Sequence, residues 1–241
     1  MDPLFEELDC QQTLLGELSL RRRRLIQLAG KEIYEVKLGD DFLMSSLFHE
    51  AETQMAEISL AMVTKPDLSV VVGGLGLGYT AAAALADPRV SSLVVVEYLA
   101  PVILWHKTGL VPLGNWLCAD PRCRIIHDDF FARSRDAGQG FDPGFPGKKQ
   151  DIILLDIDHT PNRVLHRTNA RFYTPEGLRE LAGHLAPGGV FALWSDDPPE
   201  KAFTDLLEDV FPEVRAHTIG FKNPFTGGMA ENAVYAARTD K

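Results

Sequence analysis

Two rhythms of hydrophobic and polar residues divide the chain. Over residues 13 to 46, LGELSLRRRRL and EIYEVKL are strand-like runs separated by the turn-like AGK, and GDD sets off FLMSS. This pattern predicts two small β-hairpins. Residues 47 to 63 then place Leu47, Ala51, Met55, Ile58 and Met62 at helical spacing. From residue 68 short, continuous apolar runs alternate with helix-like segments: LSVVVGG, SSLVVVE, CRIIHDD, DIILLDID and GVFALWS. Strands that are apolar on both faces, with helices between them, predict a parallel sheet covered on both sides. EVRAHTIGF and NAVYAAR follow as an antiparallel pair at one sheet edge. The expected architecture is therefore α/β. A β-rich region spans residues 1–46 and a doubly wound domain spans 47–241. The glycine- and proline-rich stretch 136–150 reads as a surface loop.

Composition narrows the partners. The 241 residues are enough for one large domain with a substantial core. A formal net charge of -10 repels phosphate backbones, so nucleic acid is not expected as a partner. The run Arg21 to Arg24 is the exception, and it reads as a solvated strand or hairpin edge whose charges discourage pairing. No apolar run is long enough for a spanning helix, and MDPLFEELDC lacks a signal pattern, so a cytoplasmic protein without a membrane partner is expected. Cys10, Cys118 and Cys123 have no C-x-x-C spacing and the histidines form no H-x-x-x-H pair, so no metal is expected.

Candidate chemistry sits where the strands end, because open α/β sheets bind ligands beyond their carboxyl ends. The first strand ends in Gly73-Gly74-Leu75-Gly76-Leu77-Gly78, a run that allows close backbone approach to a ligand. The second ends at Glu97, 23 positions after Gly74, where a carboxylate can accept both ribose hydroxyls. The third ends at Asp128 and Asp129, and one of these carboxylates suits the exocyclic amine of adenine. The fourth ends in Asp156, Asp158 and His159, groups able to act as general bases. No lysine or arginine lies between Lys65 and Arg89, and the phosphate-loop motif is absent. The spacing Gly76-x-Gly78-x-x-Ala81 also fits a dinucleotide fingerprint, but the missing cations favour an adenosine without phosphates.

These residues resemble the class I, Rossmann-like methyltransferase fold and, within it, the spermidine synthase-like aminopropyltransferases. Gly74-Leu75-Gly76-Leu77-Gly78 is similar to the G-x-G-x-G loop, DIILLDID to the fourth-strand motif, and ARFYTPEGLRELAGHLAPGGVFALW to the EFY…L-x-x-G-G segment of that group. Phe48-His49-Glu50 resembles its Y-[HQ]-E, and Gln11 or Gln12 its N-terminal ligand glutamine. The resemblance implies a donor site for S-adenosylmethionine or its decarboxylated form built from Gly73, Gly74, Gly76, Gly78, Glu97, Asp129, Asp128, His49 and Gln12. It also implies a small-molecule acceptor, an amine among the candidates, and makes a homodimer plausible.

Two departures bear on the reaction. Gly76 stands where the group carries an aspartate that binds the donor's amine. The second aspartate of D-x-x-D-P falls on His159 without a gap and on Asp158 with a one-residue shift. Unmodified S-adenosylmethionine carries a carboxylate that an aspartate would repel. Loss of that aspartate therefore favours methyl transfer to a small molecule, with Asp158, His159 or Asp156 handling the proton and Trp194 and Asp196 lining the acceptor pocket. Aminopropyl transfer to a polyamine and nucleoside binding without turnover stand as the alternatives.

Overall fold

The computed structural model describes residues 3–240. An antiparallel sheet comes first: β1 (Phe5–Thr13), β2 (Gly16–Leu25), β3 (Lys31–Leu38) and β4 (Asp41–Ser45), hydrogen-bonded in that order. Leu18 and Leu20 of β2 and Val36 and Leu38 of β3 are buried at alternating positions of the two strands. The expectation of two separate hairpins is corrected: one continuous sheet forms, and it begins eight residues earlier than residue 13.

The edge reading of Arg21–Arg24 is corrected too. β2 is an inner strand, paired with β1 on one side and β3 on the other. Its arginines face acids across both ladders. Arg22 lies 2.5 Å from Glu6 and 3.8 Å from Glu32, Arg21 lies 3.7 Å from Glu7, and Arg23 lies 3.0 Å from Glu35. FEELDCQQT carries few apolar residues, so its strand character comes largely from this cross-strand charge complementarity.

Residues 46–49 lead into helix α1 (Glu50–Ala61), which starts after His49, a residue with non-helical backbone angles. The second sheet contains β5 (Leu68–Gly73), β6 (Val90–Glu97), β7 (Cys123–His127), β8 (Gln150–Leu155), β9 (Leu185–Ser195), β10 (Glu213–Asn223) and β11 (Gly228–Arg238). Its order is β10-β11-β9-β8-β5-β6-β7. β5 to β9 pair in parallel, whereas β11 pairs antiparallel with β9 and β10. The doubly wound sheet and the antiparallel edge pair agree with the sequence pattern.

Helices α2 (Tyr79–Ala86), α3 (Ala100–Lys107), α4 (Gly114–Ala119), α5 (Phe130–Arg133), α6 (Pro175–Ala182) and α7 (Lys201–Glu208) complete the chain. Successive residues of β5 feed opposite cores. Val70 and Val72 pack with Leu77, Ala81 and Met55 on one face, and Val71 packs with Phe130 and Phe141 on the other. The 136–149 connection is anchored: Phe141 is fully buried against Phe130, and Asp142 pairs with Arg124 at 2.6 Å. Chain order reverses between β5 and β8, which opens the cleft described next. Among the described residues, no helix is long and apolar enough to cross a membrane.

Candidate functional site

The loop between β5 and α2 is tied down from several sides. Gly74 has φ +92°, and a Cβ there would collide with the Asp156 carbonyl. Gly76 has φ +46°, and a Cβ there would lie 2.5 Å from the Met44 sulfur. Gly74 therefore suits only glycine, whereas at Gly76 the positive φ favours glycine and the flexible Met44 side chain is the nearest obstacle. Gly73 packs on the Phe130 ring, and the Gly78 N–H donates to the Leu75 carbonyl at 2.8 Å. The buried His106 ring contacts the Gly76 carbonyl through Nε2 at 2.9 Å. Burial holds that imidazole below its ordinary pKa, so the ring is neutral and Nε2 donates.

Glu97 links this loop to the end of β6. Its Oε2 accepts the Leu75 N–H at 2.8 Å and its Oε1 accepts the Leu99 N–H at 2.7 Å. Burial pushes the carboxyl above its usual range, against the lowering effect of these backbone donors. The Gly76 and Tyr98 backbone N–H groups add to that lowering effect. Asp156 follows β8 and accepts the Thr80 hydroxyl at 2.7 Å. Burial raises its pKa to about 6.

Two neighbouring cavities share Gly74, Ile157 and Leu165. The first, about 220 Å³, is lined by Glu52, Glu97, Asp156, His159, Asp196 and Asn232, with Phe48, Trp194 and Phe221 among its apolar walls. No lysine or arginine of the described residues lines it. The second, about 230 Å³, is lined by Asp129, Tyr98 and Phe130, with Leu14 and Leu15 reaching in from the β1–β2 turn. Gly74, Gly76, Glu97, Asp156, His159 and Asp129 are thus gathered around one divided cleft.

Several candidates stand elsewhere. Asp128 pairs with Arg133 at 2.5 Å and lines neither cavity. Asp158 is buried, and its Oδ1 accepts from the Leu165 N–H at 2.6 Å and Asn169 Nδ2 at 2.9 Å. Its Oδ2 accepts from the Tyr173 hydroxyl at 2.8 Å. His159, by contrast, lines the first cavity. His49 stacks on Tyr79 with ring centroids 4.1 Å apart and lines neither cavity. Gln12 is exposed and contacts Glu17, while Gln11 contacts Asp9. Trp194 of β9 and Asp196, which follows that strand, both line the first cavity.

Sequence reasoning missed Glu52. It is 7% exposed on α1, and burial together with the Asp156 carboxylate raises its pKa to about 8. The available signal was an acid three residues before Met55 and four before Ala56, on the helix face that is buried. Among the described residues, no cluster of three or more His, Cys, Asp or Glu side chains is arranged to hold a metal ion.

No protein-family model matches the chain. A polyamine aminopropyltransferase of Pyrobaculum islandicum is 26% identical over 153 residues, which is 63% of this chain and 49% of the relative. The match thus spans about half the length of that curated relative. The structure of spermidine synthase from Thermotoga maritima superposes with a TM-score of 0.73 at 18% identity, covering 96% of this chain and 72% of that one. Human methyltransferase-like protein 13, solved in complex with SAH, gives a TM-score of 0.56 at 16% identity over 78% of this chain and 82% of that one. The four-stranded sheet followed by a mixed seven-stranded sheet is the arrangement of spermidine synthase. The chain shares its fold with spermidine synthase and with a methyltransferase-like protein.

Proposed function

We propose that the chain transfers an aminopropyl group from decarboxylated S-adenosylmethionine to an amine. The observation that carries this reading is the sign of the first cavity: Glu52, Glu97, Asp156 and Asp196 line it, without an arginine or lysine. A cationic amine is favoured there, and the extra carboxylate of unmodified S-adenosylmethionine is disfavoured. This reverses the preference drawn from Gly76 alone, because the acids on the other walls outnumber the one that the loop lacks. The similarity to a polyamine aminopropyltransferase supports the same direction.

In this reading Glu97 receives the ribose hydroxyls and Asp129 the adenine amine, with Gly73, Gly74 and Gly76 supplying close backbone. His159 takes the proton from the attacking amine. Asp158, with three donors already on its two oxygens, serves the surrounding structure. Cleft walls hold the amine in line with the carbon beside the sulfonium sulfur, where positioning supplies much of the rate.

The test is calorimetry with both donor forms, followed by product analysis over a panel of di- and polyamines. The decarboxylated form is expected to bind about tenfold or more tightly, a difference of about 1.4 kcal/mol, and turnover is expected to release methylthioadenosine. Tighter binding of unmodified S-adenosylmethionine with a methylated product would replace this reading with methyl transfer. Nucleoside binding without turnover of any amine would leave a binding protein.

A further inference from the structure

Glu52 is a buried acid without a counter-ion. It is 7% exposed, it lines the first cavity together with Asp156, and no described cation pairs with it. The ionisable groups that act on it or respond to it are Glu50 on its own helix, Asp156 after β8, Asp196 after β9 and Tyr79 on α2. None of them is a cation; Glu97, the His159 imidazole and the neutral Asn232 amide line the same cavity. Two carboxylates that share one cavity wall and repel each other cannot both ionise cheaply, so the free pair retains a proton. Asp156 is already fixed by the Thr80 hydroxyl, whereas Glu52 has no side-chain partner to explain its burial.

The glycine loop that lines the same cavity does not supply the missing charge. The glycine loop presents no carboxylate at Gly76, and the Met44 sulfur occupies the direction a side chain there would take. Met44 Sδ also accepts the Leu77 N–H at 3.0 Å, so the thioether is part of the loop's support. We propose that Glu52 and Asp156 together seat the primary ammonium group of an S-adenosyl-type donor, Glu52 supplying from α1 the carboxylate that the glycine loop lacks. The proposal rests on the donor class in the reading above and adds the residue that decides donor choice. Arrival of the ammonium lets both acids ionise, so the shared proton leaves for solvent as the ligand binds.

Binding measured by calorimetry in buffers of different ionisation heat tests this. Decarboxylated S-adenosylhomocysteine, S-adenosylmethionine and methylthioadenosine are compared; the first and last are both neutral at sulfur and differ in the ammonium-bearing arm. In the unaltered chain the decarboxylated thioether is expected to bind about 10- to 100-fold tighter than methylthioadenosine, the scale of charged hydrogen bonds, with proton release near pH 7. Glu52→Gln is expected to remove about tenfold or more of that preference and the proton release, while methylthioadenosine affinity stays unchanged. Glu52→Met, similar in volume and uncharged, provides the same ratio should the glutamine variant misfold. A variant that keeps the full ammonium preference overturns the proposal, as does equal loss of affinity for all three ligands. An unaltered chain with no ammonium preference overturns both this proposal and the donor reading. Methyl transfer with a Glu52-dependent ammonium preference overturns aminopropyl transfer alone and upholds the seat.

Discussion

At the residue scale, Asp158 and His159 are adjacent in sequence but differ in what their side chains can do. Asp158 accepts from Leu165, Asn169 and Tyr173 and is buried among them. Burial raises its carboxyl against the lowering effect of those three donors, and it raises the Tyr173 hydroxyl well above the ordinary range. His159 has its ring on the cavity wall, and its carbonyl accepts the Asp196 N–H at 2.7 Å, which fixes its backbone. Asp158→Ala is expected to cost about 2–4 kcal/mol of stability, because three donors lose their acceptor. His159→Ala is expected to cost about a hundredfold or more in kcat and little stability. Urea unfolding and steady-state kinetics on both variants check this. A folded Asp158→Ala enzyme losing more kcat than His159→Ala would return the proton-transfer role to Asp158. Sequence could not separate the two, since the choice depends on which side chain the 160–173 segment encloses.

At the element scale, the parallel strands were readable because burial on both faces demands continuous apolar runs such as VVV and IILL. β1 was not readable by that signal, since its pairing depends on acids that match the arginines of β2. Helix α4 escaped as well: six residues, GNWLCA, are too few to display a period. The ladder explanation for β1 has its own test. Arg22→Glu places like charges opposite Glu6 and near Glu32, and it should loosen β1 by about 1 kcal/mol at low salt. Faster amide exchange in residues 5–13 than in the second sheet is the expected observation, and it should shrink at high ionic strength. Unchanged exchange would mean that Leu8 and the backbone ladder hold the strand without the ion pairs.

At the scale of the whole molecule, the cleft is shared between the two sheets. β4 brings Met44 to the glycine loop, the β1–β2 turn brings Leu14 and Leu15 to the second cavity, and the ends of β6, β8 and β9 bring the acids. Strand-end acids could be found from sequence because each directly follows an apolar run. The walls could not, because they come from segments far apart in the chain and their meeting is a product of tertiary packing. What all these parts share is a sign. A chain of formal charge -10 encloses a cavity with four carboxylates, so the field outside and the field inside attract the same class of ligand. That long-range attraction is screened within about 10 Å at 0.1 M salt. It follows that kcat/KM for a cationic amine acceptor should fall several-fold between about 0.02 and 0.5 M sodium chloride, through slower capture. Affinity for uncharged methylthioadenosine should change by less than about twofold over the same range. Stopped-flow or steady-state rates against ionic strength, beside the nucleoside titration, separate the two effects. An acceptor rate that does not respond to salt would mean that the acidic surface serves solubility, and that capture depends on contacts made only inside the cleft.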